Sequence, residues 1–476
     1  MKKTILFLCI LSLLLPIVCM TSCSTPAPEP SNKEDPTAPD KESDPDGSLP
    51  AQEGEKEEPS GNNNNNNNNA EQNEGKSDSG LPPYNGPAYT EKTPSIYIET
   101  ENGVGIPANK TDVNCFISLR SNERTQCADG LPATIRTRGN GSLSAASSIG
   151  KLPYKIKFRN EVNPFLLGDG KANDWVLLDH VGEHTMLRNY AARLLGDMLD
   201  GIPYSTNSRL VNVYLNGSYV GVYELAEQVE VDKYRINVND GCSTPENGFL
   251  VELDSYADEL YVTVGGQRYT VKSKVYSDAQ LDFIRDYLQQ VDDAVYSGDP
   301  VRLAELVDMD SVVDMYIVQE YAKNIDVGWS SFYMYRDVGG KLTFAPPWDF
   351  DLSFGNDARL DNGSYERLYV GSSRGMMQDH RWYNALYKQP WFRLLVADRW
   401  REVSKTIIPN LIKAVRFAAA EIAADMNKNY EKWKILGRKC HQEPVSVYRL
   451  TSYKAHTDYL IKWMENRKLW LDRELS

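Results

Sequence analysis

Over the last 391 residues the apolar side chains follow two different spacings, a strand-rich part and then a helical one, with no repeating strand–helix–strand period. Ile96-Tyr97-Ile98 opens a strand-rich stretch that continues through Cys115 to Leu119, Ala133 to Arg138 and Lys155 to Phe158. One helix interrupts it, in which Met186, Leu187, Tyr190, Ala191, Leu194, Leu195 and Met198 recur at three- and four-residue steps until Gly201. Leu210 to Tyr214 and Tyr219 to Leu225 then flank Asn216-Gly217, a strong hairpin signal. Ser277 and Gln280 form a capping box ahead of the stripe Leu281, Ile284, Leu288, Val291 and Val295. A further helix is predicted from about Ser311 to Lys323, then two strands, Phe332 to Arg336 and Lys341 to Phe344, joined across Gly339-Gly340. From Pro390 onward the spacing is helical. The fold class is therefore α+β, β-rich first and helical last.

The residues before this part cannot build a core. Residues 24–85 are rich in Pro, Glu, Asp, Ser and Asn, with an unbroken run from Asn62 to Asn69, and lack the apolar surface that offsets chain entropy. They are expected to be a disordered acidic spacer. Ahead of them, Lys2 and Lys3 precede an apolar run from Ile5 to Met20 that is broken by Pro16, the pattern of a signal peptide. Met20-Thr21-Ser22-Cys23 resembles a bacterial lipobox, so Cys23 is the expected lipid anchor and the protein an exported, membrane-tethered lipoprotein of the cell envelope; an ordinary signal peptide is the alternative. The expected organisation is residues 1–23 as signal, 24–85 as spacer and 86–476 as the folded domain. Net charge is −14, of which the spacer holds −10, which speaks against nucleic acid as a partner. Cys115, Cys127, Cys242 and Cys440 match no zinc spacing and allow zero, one or two disulfides.

Asp326 and Asp349 are far apart in sequence but lie just outside the two ends of the predicted hairpin. Antiparallel pairing brings those ends together, so the two carboxylates should converge, as a catalytic base beside a metal ligand. In Trp348-Asp349-Phe350-Asp351, the second Asp lies two residues on and can share a divalent cation with the first. Such an Asp349/Asp351 pair also suits a glycan-acting enzyme. Upstream, Arg136-Thr137-Arg138-Gly139-Asn140-Gly141-Ser142 reads as a basic turn between strands, able to offer backbone N–H groups and a guanidinium to phosphate. Lys155 and Lys157 share one face of the following strand, and Glu224 or Glu227 is available as the ion-pair partner of a strand lysine. The five histidines form no metal-type pair and receive no role.

These strings resemble the CotH (spore coat protein H) type of atypical protein kinase. The matching residues are Arg136 to Ser142, Leu152-Pro153-Tyr154-Lys155-Ile156-Lys157, Asp174 to Leu178, Leu187-Arg188-Asn189, Val213 to Tyr223 leading to Glu227-Gln228, and Trp348 to Gly355. The resemblance implies a divergent protein-kinase-like fold that uses ATP with Mg2+ or Mn2+ and phosphorylates protein Ser. It casts Asp326 as the catalytic-loop Asp, Asp349 as the metal-binding Asp with Asp351 beside it, and Lys155 or Lys157 as the nucleotide lysine. Arg138, Gly139 and Glu227 would complete the nucleotide site. Two positions depart from the family pattern: Ser331 stands where Asn often binds the metal, and Leu143 follows Ser142 where Trp is common. A non-catalytic surface adhesion or binding protein on a kinase-like scaffold is the competing expectation.

Overall fold

The computed structural model describes residues 79–475; the signal segment, Cys23 and the spacer up to residue 78 lie outside the described residues. Seven strands close into a barrel: β1 (Ser95–Thr100), β2 (Val113–Arg120), β3 (Ala128–Thr137), β4 (Tyr154–Val162), β5 (Ala172–Leu178), β6 (Ser208–Leu215) and β7 (Ser218–Glu227). Their order is β1-β2-β3-β4-β5-β7-β6, and β1 closes on β6 in parallel while all other neighbours run antiparallel. Alternation makes this possible: Ile96, Ile98, Ile117, Leu119, Ile135, Ile156, Trp175, Val213 and Leu225 all enter one buried cluster, and their sequence neighbours face outward. Asn216 and Gly217, both at positive φ, make the β6–β7 turn.

Two helices are inserted in the barrel's connections, α1 (Gly141–Ile149) and α2 (Arg188–Met198). The basic segment 136–142 thus leads into a helix, and not directly across to β4 as the sequence suggested. Gly-Ser-Leu-Ser-Ala-Ala-Ser-Ser-Ile offers too few apolar positions for a helical stripe to be seen.

The remainder holds β8 (Phe249–Leu253), β9 (Tyr261–Val264), β10 (Gln267–Val271) and β11 (Phe332–Arg336) in one antiparallel sheet of order β11-β8-β10-β9. Around it lie α3 (Asp278–Ser297), α4 (Pro300–Leu306), α5 (Met309–Ala322), α6 (Arg381–Leu386), α7 (Pro390–Thr406), α8 (Ile408–Lys432), α9 (Val445–Tyr448) and α10 (Tyr453–Glu474). Ser277 caps α3 by accepting from the Gln280 N–H, while Gln280 Oε1 reaches back to accept from the Tyr276 N–H at 2.8 Å. Helix α8 is tied to the barrel where Asn429 Oδ1 accepts from the Val222 N–H at 3.1 Å and Trp433 Nε1 donates to the Val220 carbonyl at 2.9 Å.

The expected hairpin after α5 survives only as one bridge. Tyr335 and Thr343 exchange both backbone bonds, at 3.0 and 2.8 Å, but Leu342 pairs instead with the α4–α5 connection through Leu306 and Asp308. β11 takes β8 as its main partner. The four cysteines of the described residues are free thiols.

The chain is packed on the barrel before β1 begins. Tyr84 is buried, its ring lies under the Arg120 guanidinium at 4.8 Å, and Arg124 donates to the Tyr84 and Gly86 carbonyls at 3.1 Å each. Leu81 packs against the barrel core. The expected spacer therefore contains, at its very end, residues that belong to the barrel. Tyr84→Ala removes a buried ring and its cation–π contacts, so the melting temperature should fall by a few degrees. An unchanged melting curve would mean that this segment merely rests on the surface.

Candidate active site

A cavity of about 710 Å3, well within the size range of ligand sites, opens where the barrel meets the helical part. Asp326 reaches it from the loop after α5. That loop is held from three sides: Asn324 Nδ2 donates to Gln319 Oε1 at 3.0 Å, Tyr369 Oη donates to the Ile325 carbonyl at 2.7 Å, and the Gly328 N–H donates to the Gln378 carbonyl at 3.0 Å. Gly328 is required there because a Cβ would lie 2.5 Å from the Asp379 backbone.

Asp349 and Asp351 arrive on the segment that follows the Tyr335/Thr343 bridge. This segment is clamped by α2 and α5: the Phe350 N–H donates to Asn189 Oδ1, Arg188 Nε donates to the Ser353 carbonyl at 3.1 Å, and the Phe354 N–H donates to the Ala322 carbonyl at 2.7 Å. Arg188 is itself buried and paired with Glu183. The Leu187-Arg188-Asn189 string thus acts at a distance in sequence, by fixing the backbone beneath the two carboxylates.

Ser331 donates through Oγ to Asp349 Oδ2 at 3.0 Å, and its backbone N–H donates to Glu252 Oε1 at 3.1 Å. Both Ser331 and Asp349 sit at positive φ, +65° and +66°, in the left-handed region that a side-chain-bearing residue adopts less readily than glycine. Asp326, Asp349, Asp351 and Ser331 therefore line one cavity, although only a single bridge of the expected hairpin forms. Arg359 adds a cation the sequence did not reveal. Its Nη2 lies 3.8 Å from Asp326 Oδ1 while Asp357 holds the guanidinium at 2.7 Å.

The carboxylates are short of countercharge. Burial pushes the Asp326 carboxyl up to about 7; Arg359 opposes this, and Asp349 and Asp357 add to it. Asp351 is driven well above the ordinary carboxylate range by burial first and then by the charges of Asp349 and Asp326. Hard oxygen donors pressed together in this way suit a divalent cation of the Mg2+ or Mn2+ class.

The same cavity is lined by Arg138, Gly139 at φ +87°, Lys155 and Arg193. Arg193, on α2, is missing from the sequence reading. Its Nη1 pairs with Glu224, its plane lies 4.8 Å over the Trp348 ring, and its Nε and Nη2 are buried without hydrogen-bond partners. Glu224 also bonds His180 Nε2 at 2.7 Å; burial alone would raise its carboxyl, but Arg193 and His180 hold it down at about 2.

Two expected residues are not brought to the cavity. Lys157 is exposed on the outside of β4, because two residues along a strand is roughly 6.6 Å, enough to carry it past the cavity that Lys155 lines. Glu227 is buried elsewhere, accepting from the Asn207 N–H at 2.7 Å and from Tyr204 Oη at 3.1 Å. Neither Glu224 nor Glu227 pairs with a strand lysine; Lys155 pairs with Asp174 at 3.2 Å. The second strand of a barrel pair, not the neighbouring hairpin, supplies its partner.

The family model of the CotH kinase protein matches residues 135–471, from the end of β3 into the last turns of α10. No curated protein matches the chain.

The raised carboxyl of Asp326 has a consequence for stability. A folded-state pKa above the unfolded value means that the folded state holds the extra proton between about pH 4 and 7, so stability falls as pH rises through that window. In the presence of chelator, Asp326→Asn should raise the melting temperature at about pH 8 and change it little at about pH 4. Equal shifts at both pH values would show that Asp326 carries no such burial cost.

Proposed function

Because the chain belongs to the CotH kinase protein family, we propose that it is an ATP- and divalent-metal-dependent phosphotransferase acting on Ser residues of protein substrates. The observation that carries this reading is one cavity lined by Asp326, Asp349 and Asp351 together with Arg138, Lys155 and Arg193. Phosphoryl transfer needs little covalent chemistry from the protein; it needs a positioned base, a metal-binding edge and cations for the phosphates.

Asp349 and Asp351 would hold the Mg2+ or Mn2+, with Ser331 offering a neutral oxygen beside them. When bound, the cation supplies charge neutralisation at the transferring phosphoryl group. Asp326 takes the proton of the acceptor hydroxyl, and the nearby Arg359 favours its ionised form. The Arg138-Gly139 turn and Lys155 would face the phosphates, with the buried Arg193 guanidinium adding positive charge to the site. Glu224 holds Arg193 in place, so the helix supplies the cation and the strand the carboxylate. That reverses the polarity of the strand-lysine, helix-glutamate pair in other protein kinases.

The same proposal places the protein on the cell envelope, anchored through Cys23 after export and held off the membrane by the acidic spacer. Its support is the lipobox-like string and the charged, apolar-poor stretch that follows.

Transfer of labelled phosphate from ATP to the protein itself or to an added protein tests the reading. Asp349→Asn should abolish transfer. Asp326→Asn should lower turnover by about 10²–10⁴-fold while leaving nucleotide affinity within about threefold, since a base acts on the acceptor. A wild-type protein that neither binds nucleotide nor transfers phosphate would leave only the binding-scaffold reading. Ser331→Asn should lower the metal concentration for half-maximal transfer, because an amide oxygen is the better ligand and Asn tolerates positive φ, and Ser331→Ala should raise it. Coincident metal titrations of the three proteins would remove Ser331 from the metal's surroundings.

A further inference from the structure

Outside the cavity, three side chains of metal-binding type meet where the C-terminal loop 438–443 packs on the segment entering α2. His184, Cys440 and Glu443 offer ligand atoms that all lie within 4.8 Å of one another. The Cys440 Sγ is 3.7 Å from His184 Nε2, and Glu443 Oε1 is 4.0 Å from His184 Nδ1. His184 and Glu443 are fully buried, and Cys440 is half-buried. The contact between the two segments is close: a Cβ on Gly182 would lie 2.8 Å from the His441 Cβ.

We propose that His184, Cys440 and Glu443 form a site for a zinc-class divalent cation that fastens the loop 438–443 to the start of α2. A thiolate, an imidazole and a carboxylate are the donor set such a cation takes, with water as a fourth ligand. Bond lengths of about 2.0–2.3 Å in a tetrahedron separate ligand atoms by roughly 3.3–3.6 Å, so with Nδ1 as the single imidazole ligand the glutamate at 4.0 Å closes slightly and the Cys440 side chain, 3.7 Å from Nε2, swings toward Nδ1.

A second observation points the same way. His184 Nδ1 is buried with no hydrogen-bond partner and lies 4.0 Å from Glu443 Oε1, so ligation through Nδ1 would satisfy it. Its ring is fixed by packing on the His456 ring, 4.7 Å between centroids, and on Tyr430. Glu443 is already preorganised, since the Cys440 and His441 N–H groups donate to it at 3.2 and 2.7 Å. Burial works against all three charged forms: the thiol is pushed up to about 12, the Glu443 carboxyl is raised, and the imidazole is lowered to about 3. A divalent cation matches the two negative charges of a bound thiolate and carboxylate, and the thiol proton is released to solvent on ligation.

The site is independent of the phosphotransfer reading, because none of its three residues lines the cavity. His441 and Gln442 do line it, so the cation would stiffen one rim of the cavity from behind.

Cobalt(II) titration of the full-length reduced protein tests the proposal, since only a cysteine ligand gives a thiolate-to-cobalt charge-transfer band in the near ultraviolet. The expected result is one equivalent with that band, displaced by one equivalent of zinc. The band should vanish in Cys440→Ser, need at least about tenfold more cobalt in His184→Gln and Glu443→Gln, and persist in Asp349→Asn. Zinc should raise the melting temperature of the wild type and leave that of Cys440→Ser unchanged, with the two proteins melting together in chelator. Absence of the band in the wild type, or its survival in Cys440→Ser, would overturn the site. Loss of the phosphotransfer activity alone would not.

Discussion

Asp326, Asp349 and Asp351 face one cavity, and their mutual repulsion is the constraint around which the rest of the fold is arranged. Burial and neighbouring charge raise the cost of ionising Asp326 and Asp351, and Arg359 answers only part of it. Such a cluster persists only where the backbone is held from outside. The holding groups are buried and specific: Asn189 and Arg188 beneath the Asp349–Phe354 segment, Gln319, Tyr369 and the Gln378 carbonyl around the Asp326 loop. The positive φ of Ser331 and Asp349 is where that confinement shows in the backbone.

The barrel provides the opposite charge. Because β4 is paired on both sides, by β3 and β5, its outward lysines cannot shift along the strand, and only Lys155 falls within the cavity. Helix α2 then serves both walls. Its Arg188 and Asn189 fix the acidic segment, while Arg193, anchored to Glu224 on β7, presents a cation to the other side. One short helix thus sets the distance between the acidic and basic walls, and α8, tied to β7 through Asn429 and Trp433, keeps the barrel and the helical part in register.

Much of this was legible in the sequence, and the reason differs by element. The barrel strands were visible because a half-buried strand must alternate, and Asp326 and Asp349 were paired because antiparallel geometry returns the chain to its starting end. The second strand of that hairpin does not form: Leu342 has the apolar alternation of a strand, but its backbone bonds to the α4–α5 connection. Helix α1 was invisible because serines and glycine carry no periodic signal. Lys157 and Glu227 were misplaced for another reason. Alternation tells which face a residue occupies but not how far along a strand a cavity reaches, nor which buried carboxylate a long-range arginine will select. Arg193, Arg359, Glu252 and the His184–Cys440–Glu443 group depend on tertiary placement alone and leave no local mark.

The account rests on a divalent cation and nucleotide phosphates resolving the charge imbalance of the cavity. Crystals grown with Mn2+ and a non-hydrolysable ATP analogue, measured at the manganese absorption edge, locate the ion directly through its anomalous scattering. The account predicts a manganese peak within bonding distance of Asp349 and Asp351 and next to Ser331, with the phosphates turned toward Arg138, Lys155 and Arg193. A cavity without manganese, or a nucleotide bound away from these carboxylates, would contradict it.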